Sequence, residues 1–190
     1  MDELLSMCRN LVLLLLYCLL AVLPACKKRE APPPTPRDVC ALIALEEIQT
    51  VQGSPIKESK SSARADAGLR VSQCFYIATE FSKSVNLALV ERDPDHPTGH
   101  NAKDFWKEKF DPYENEEPKT NSRDKKEQSF PPKRVVGLGD EAFWVSNRFG
   151  GTLYVLKGDA FISIGIGGTD DEGTKLEKSK ALAQKALQHL

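Results

Sequence analysis

The sequence predicts an α+β domain, an antiparallel sheet with helices packed against it. Three observations predict this. Residues 84–90 alternate, with Val85, Leu87 and Leu89 on one face and Ser84, Asn86 and Ala88 on the other, which is the two-residue period of a half-buried strand. Glu141–Arg148, Thr152–Lys157 and Ala160–Ile166 are separated by the tight-turn pairs Gly150-Gly151 and Gly158-Asp159, giving a three-stranded meander. The flanks are spaced as helices instead, with Leu42, Leu45, Ile48 and Val51 after Asp38, and Leu176, Ala183, Leu187 and Leu190 in 172–190.

Upstream of this domain, residues 11–23 form an unbroken apolar run of 13 residues. A bilayer-spanning helix needs about 20, so the run has the length of a signal-peptide hydrophobic region. Asp2 and Glu3 suit a signal peptide poorly, whereas a start at Met7 supplies Arg9 as the cation before the run. Leu23-Pro24-Ala25-Cys26 follows and resembles the lipobox of bacterial lipoproteins. The resemblance implies that a diacylglyceryl group alkylates the Cys26 thiol, that cleavage precedes Cys26, and that the new amine is acylated by a fatty acid such as palmitate. Residues 1–25 are then a removed signal peptide, 26–37 the lipidated Cys with a Pro-rich linker, and 38–190 one α+β domain. An uncleaved membrane anchor and ordinary secretion with cleavage near Ala25 are the alternatives.

Four prolines in residues 27–37 disfavour helix and sheet. As polyproline II the segment reaches roughly 34 Å, a tether with Lys27, Lys28 and Arg29 beside anionic headgroups. Asp38 is the expected N-cap of the first helix, which Gly53 and Pro55 stop. Ile56 starts a short strand, and Ser59–Gly68, rich in Ser, Lys, Ala and Asp, reads as an exposed loop. Leu69–Thr79 and Ser84–Val90 form a hairpin across Glu80–Lys83. Asn101–Phe110 reads as a short helix with Phe105, Trp106 and Phe110 inward. From Asp111 to Arg134 only Tyr113 and Phe130 offer apolar surface, which predicts a charged surface insertion. The closing helix, 172–190, has an acidic first turn, His189 in its last turn, and Lys175, Lys178, Lys185 and Gln188 largely outside.

The chain carries 26 basic and 27 acidic residues. Removal of 1–25 leaves 25 of each, so no long-range field draws in nucleic acid. The same cleavage discards Cys8 and Cys18, and lipid occupies Cys26. Cys40 and Cys74 remain, and an even remainder outside the cytoplasm predicts one disulfide, closing a loop of about 35 residues. Two buried free cysteines are the alternative.

Cys40-Ala41-Leu42-Ile43 before Glu46-Glu47, Cys74-Phe75-Tyr76 on a strand, Gly137-Leu138-Gly139-Asp140-Glu141-Ala142-Phe143-Trp144, and Val155-Leu156-Lys157-Gly158-Asp159 before an Ala-rich helix resemble a group of small bacterial envelope lipoproteins of unknown function. Their fold is similar to the PsbP-like α/β sandwich. The resemblance covers about Val39 to Leu190 and brings no catalytic residues with it.

Candidate chemistry is sparse. Asp93, Asp95, His96 and His100 lie within eight residues, but Pro94, Pro97 and Gly99 break the spacing that would bring both imidazoles together, so a polar loop is expected rather than a metal site. Gly165-Ile166-Gly167-Gly168 lacks the third glycine of a dinucleotide turn, and Asp170, Asp171 and Glu172 would repel a phosphate. Asp140 and Glu141 are neighbours on an extended segment and point apart, which suits a turn better than acid–base work. Tyr76, Trp106, Phe143, Trp144 and Tyr154 fit core packing or the wall of a ligand pocket. No Gly-x-Ser-x-Gly, His-Glu-x-x-His or Cys-x-x-Cys occurs.

The expected function is a non-catalytic binding or scaffolding module, anchored by lipid to a membrane of the bacterial cell envelope and facing the periplasm or exterior. Its expected partners are the membrane and either another envelope protein or a small ligand, with no metal, cofactor or nucleic acid. The competing expectations are an envelope enzyme using Asp140, Glu141 and the Asp93–His100 loop, and a purely structural envelope component.

Overall fold

The structure, a computed structural model, describes residues 37–96, 99, 101–114, 131–148 and 150–190. The expected signal peptide, Cys26 and nearly all of the expected tether lie outside these residues, as does most of the expected insertion.

Among the described residues seven strands form one antiparallel sheet: β1 (Ile56–Asp66), β2 (Leu69–Ala78), β3 (Val85–Arg92), β4 (Lys133–Arg134), β5 (Glu141–Asn147), β6 (Gly150–Lys157) and β7 (Ala160–Ile166), in the spatial order β1-β2-β3-β7-β6-β5-β4. Two meanders therefore meet at the β3–β7 seam, where Leu87 lies opposite Ile164 and Leu89 opposite Ile162. Among the described residues three α-helices pack on this sheet, α1 (Leu45–Gln52), α2 (Ala102–Glu114) and α3 (Glu172–Ala186). The predicted α+β class, an antiparallel sheet with helices packed on it, is the observed one.

Strand alternation divides the apolar residues between two faces. Cys74, Tyr76, Leu87, Leu89, Trp144, Leu153, Val155, Ile162 and Ile164 belong to the larger core, which also takes in Ile48 of α1 and Leu182, Ala183 and Ala186 of α3. Leu69, Val90, Phe143, Leu156 and Phe161 face the other way, against Ala102, Trp106 and Phe110 of α2. Phe143 and Trp144, adjacent in sequence, thus serve opposite layers.

The first helix is shorter than predicted. Asp38 caps only a 3-10 turn, Val39–Ala41, through the Cys40 amide at 3.0 Å, and α1 begins at Leu45 after an extended Ala44. Val39, Leu42 and Ile43 are all buried, and a continuous helix would turn Leu42 and Ile43 about 100° apart. Glu47 reaches back to the Ala44 amide, 3.3 Å, and Gly53, at φ +62°, ends the helix with its N–H on Gln49 O. Cys40 is bonded to Cys74 as predicted, with the Cα atoms 5.2 Å apart, which ties the 3-10 turn to β2.

Residues 59–66, expected as a loop, are strand. β1 pairs along β2 from Ile56 opposite Ala78 to Asp66 opposite Leu69. Every side chain after Ile56 is exposed, so no apolar alternation marks the strand. Both edges of the predicted insertion are also ordered. Asp111–Glu114 continue α2 with Pro112 inside it, extending the helix whose Trp106 and Phe110 are buried, and Lys133 and Arg134 pair with Trp144 and Phe143. Residues 115–130 lie outside the described residues.

Phe105, expected inward, is 41% exposed, although its ring stacks on Phe161 at 5.8 Å. In α3 the buried stripe is Lys175, Ser179, Leu182, Ala183 and Ala186, rotated from the predicted one. Small residues there let the helix lie close on β6 and β7. Lys175, expected outside, rests its stem on Gly150, where a Cβ would come within 2.7 Å of Cδ. The helix ends at Ala186, so His189 lies beyond it.

Candidate functional site

Most of the carboxylates singled out from the sequence are engaged in holding the fold together. Asp140 accepts from the Gly158 amide at 2.7 Å and closes the β6–β7 turn, while Glu141 accepts from the Trp106 indole N–H at 2.9 Å and pins α2 to β5. The two groups have separate partners and do not converge. The glycines at 165–168 serve backbone approach, because a Cβ on Gly167 would collide with Ser82 O, and the Gly167 amide donates to Ser84 O at 2.9 Å. Asp171 caps α3 through the Thr174 amide and hydroxyl, at 3.0 and 2.6 Å. The five aromatic residues do not line one pocket: Tyr76 and Trp144 belong to the core of one face, Trp106, Phe143 and Tyr154 to the packing of the other.

The Asp93–His100 loop is different. Asp93 follows β3, is 1% exposed, and receives hydrogen bonds from two side chains. Arg70 Nη2 lies 3.2 Å from Oδ1, and His96 Nδ1 lies 2.8 Å from Oδ2. Arg70 also reaches Asp95 at 3.3 Å. The Asp93 amide donates to Gly68 O at 2.8 Å, fastening the loop to the β1–β2 turn. The contact with His96, followed by the Asp95 amide and Arg70, holds the Asp93 carboxyl below its ordinary range against the opposing effect of burial.

These residues border a groove of about 310 Å³, open to solvent and lined by Ala65, Asp66, Ala67, Gly68, Asp93, His96 and Gly99. Gly99 is required there, since a Cβ would stand 2.6 Å from Gly68 Cα. Asp93 accepts, so His96 Nδ1 carries a proton. The side chain of His96 is 73% exposed, which leaves the ring open to a ligand proton or a polar group. Among the described residues no three His, Cys, Asp or Glu side chains are placed to hold a metal ion. His100 lies outside them.

Two groups, one beside this groove and one at the start of α3, were not legible in the sequence. Arg70 reaches Asp93 through the pairing of β2 with β3, where it stands opposite Glu91, and no local spacing signals that. Glu172, read as part of an acidic helix start, is a junction: its Oε1 accepts from Trp144 Nε1 at 2.9 Å, Ser146 Oγ at 2.5 Å and Lys133 Nζ at 3.2 Å. Ser146 first, then Trp144 and Lys133, hold its carboxyl below the ordinary value. A buried tryptophan needing an acceptor was the one sequence signal available.

Among the described residues no helix is long and apolar enough to cross a membrane. No protein-family model, curated protein or solved structure matches the chain.

Proposed function

We propose that the chain is a lipid-anchored module of the bacterial cell envelope, held to a membrane through Cys26 and acting by binding or scaffolding. What carries this reading is the Cys40–Cys74 bond, because disulfides persist in extracytoplasmic compartments and thiols elsewhere are kept reduced. The lipobox-like Leu23-Pro24-Ala25-Cys26 supplies the anchor and the proline-rich stretch after it the spacing. Helices on both faces of an antiparallel sheet accord with the PsbP-like resemblance. The groove beside His96 is the place for a small polar ligand, and the hydrogen-bonded state of Asp140, Glu141 and Glu172 favours binding over carboxylate catalysis. Lipidated chain is expected to pellet with membranes and stay there in high salt, since acyl burial is insensitive to screening. Release of the wild-type chain by salt argues against the anchor.

One observation favours a second reading, an envelope enzyme. Asp93 holds the His96 ring through Nδ1, the pairing of an orienting carboxylate with a candidate base, and the ring is largely exposed. On that reading His96→Ala abolishes a measurable turnover; on the binding reading it changes only ligand affinity.

A further inference from the structure

We propose that β1 joins two copies of this chain edge to edge, antiparallel and centred on Ser61, so that one sheet continues into the next. β1 is the outermost strand, and among the described residues it pairs only with β2. It is 11 residues long, yet every side chain after Ile56 is exposed. Burial therefore gives almost nothing to offset the entropy of ordering it. Its outer row of N–H and C=O groups is a template for another strand.

Natural sheet edges are blunted by proline, shortness, bulges or charge. β1 has no proline, and its one irregularity lies at its start, between Ile56 and Glu58. Its charges discriminate among registers instead. Centred on Ser61, the pairing sets Glu58 opposite Arg64 of the second copy, twice by symmetry, and Lys60 opposite Ser62, with Ser59 facing Ala63 on the other side of the sheet. Centring on Ser62 opposes Glu58 to Asp66 and Lys60 to Arg64, and centring on Lys60 opposes that lysine to itself; like charges directly opposite are destabilising. Centring on Ala63 pairs Lys60 with Asp66 but drives Glu58 and Ser59 against the Ala67–Gly68 turn. Centring on Ser59 depends on the irregular start and leaves 63–66 unpaired. The Ser61 register uses the whole strand and keeps α2 on the same side of both sheets.

The test uses the full chain carrying Cys8→Ser, Cys18→Ser and Cys26→Ser, in detergent, with Glu58→Cys in one preparation and Arg64→Cys in another. Opposed residues of an antiparallel pair stand about 4.5 to 5.5 Å apart at Cα, within disulfide range. Identical positions of the two copies are six residues out of line, roughly 20 Å. Mild oxidation should link the mixture into dimers and neither preparation alone. In sedimentation without added cysteines, Arg64→Glu should weaken the dimer at least tenfold, and combining it with Glu58→Arg should restore it. Both positions are exposed, and an unchanged near-ultraviolet circular dichroism spectrum verifies folding. A wild-type monomer at tens of micromolar, equal cross-linking within the single preparations, or linkage of Lys60→Cys to Asp66→Cys in place of the expected pair overturns the proposal.

Discussion

Reducing the Cys40–Cys74 bond should leave the fold in place and remove a large part of its stability. The bond joins the 3-10 turn at Val39–Ala41 to a central position of β2, where Cys74 is fully buried and lies opposite Leu87. Opening a loop of about 35 residues restores unfolded-state entropy worth roughly 4 kcal/mol at 25 °C by the chain-entropy model, within the 2 to 5 kcal/mol typical of native disulfides. With a urea slope of about 2 kcal/mol per molar, the unfolding midpoint should fall by about 2 M. For a domain of this size the same loss lowers Tm by about 8 to 16 °C. The assay is urea unfolding followed by tryptophan fluorescence, since both Trp106 and Trp144 are buried, with and without a phosphine reductant. Cys40→Ala with Cys74→Ala should match the reduced protein within the added cost of a small cavity. A midpoint shift under about 0.5 M would refute the reasoning, because the loop would then be restrained equally well without the bond.

Three further outcomes are expected. Trp106→Phe removes the N–H that Glu141 accepts and should cost about 1 to 3 kcal/mol in urea unfolding, with Glu141→Gln partly restoring the variant by replacing an unpaired carboxylate with a neutral group. Gly151→Ala, at φ +157° and with the new Cβ colliding with the Trp144 ring, should destabilise by about 1 to 3 kcal/mol and shift the Trp144 emission. Asp93, Asp171 and Glu172 are held below the ordinary 3.8 and 4.5; their contribution is therefore full above those values and lost as pH falls through the lower folded ones. Urea midpoints measured downward from pH 5 should drop for the wild type and drop less steeply for Glu172→Gln.

The sequence showed the sheet wherever burial left a period to read. Val85, Leu87 and Leu89 alternate because β3 is central and its larger face is sealed, and the Gly158-Asp159 turn was legible, whereas Gly150 and Gly151, read as a turn, begin β6 opposite Asn147 and Ser146. β1 was missed for the opposite reason: with both faces exposed, nothing in Ile56–Asp66 distinguishes a strand from a loop, and only pairing with β2 makes it one. The α3 stripe was misplaced because Ser179, Ala183 and Ala186 are buried for their smallness, which a search for leucines overlooks. Of the candidate site, Asp93 and His96 were visible as neighbours in one loop. Arg70 was not, since its approach depends on strand register, and the hydrogen bonds that occupy Glu141 and Asp140 come from Trp106 and the Gly158 turn, both distant in sequence.

The anchor is the central claim, and metabolic labelling with an alkyne fatty acid tests it most directly. In a bacterial host the wild-type chain should take up label and Cys26→Ser should take up none, because only a thiol forms the thioether, and the variant should keep the mass of the uncleaved precursor. Label retained on Cys26→Ser, or a wild-type chain that is cleaved and unlabelled, contradicts the account.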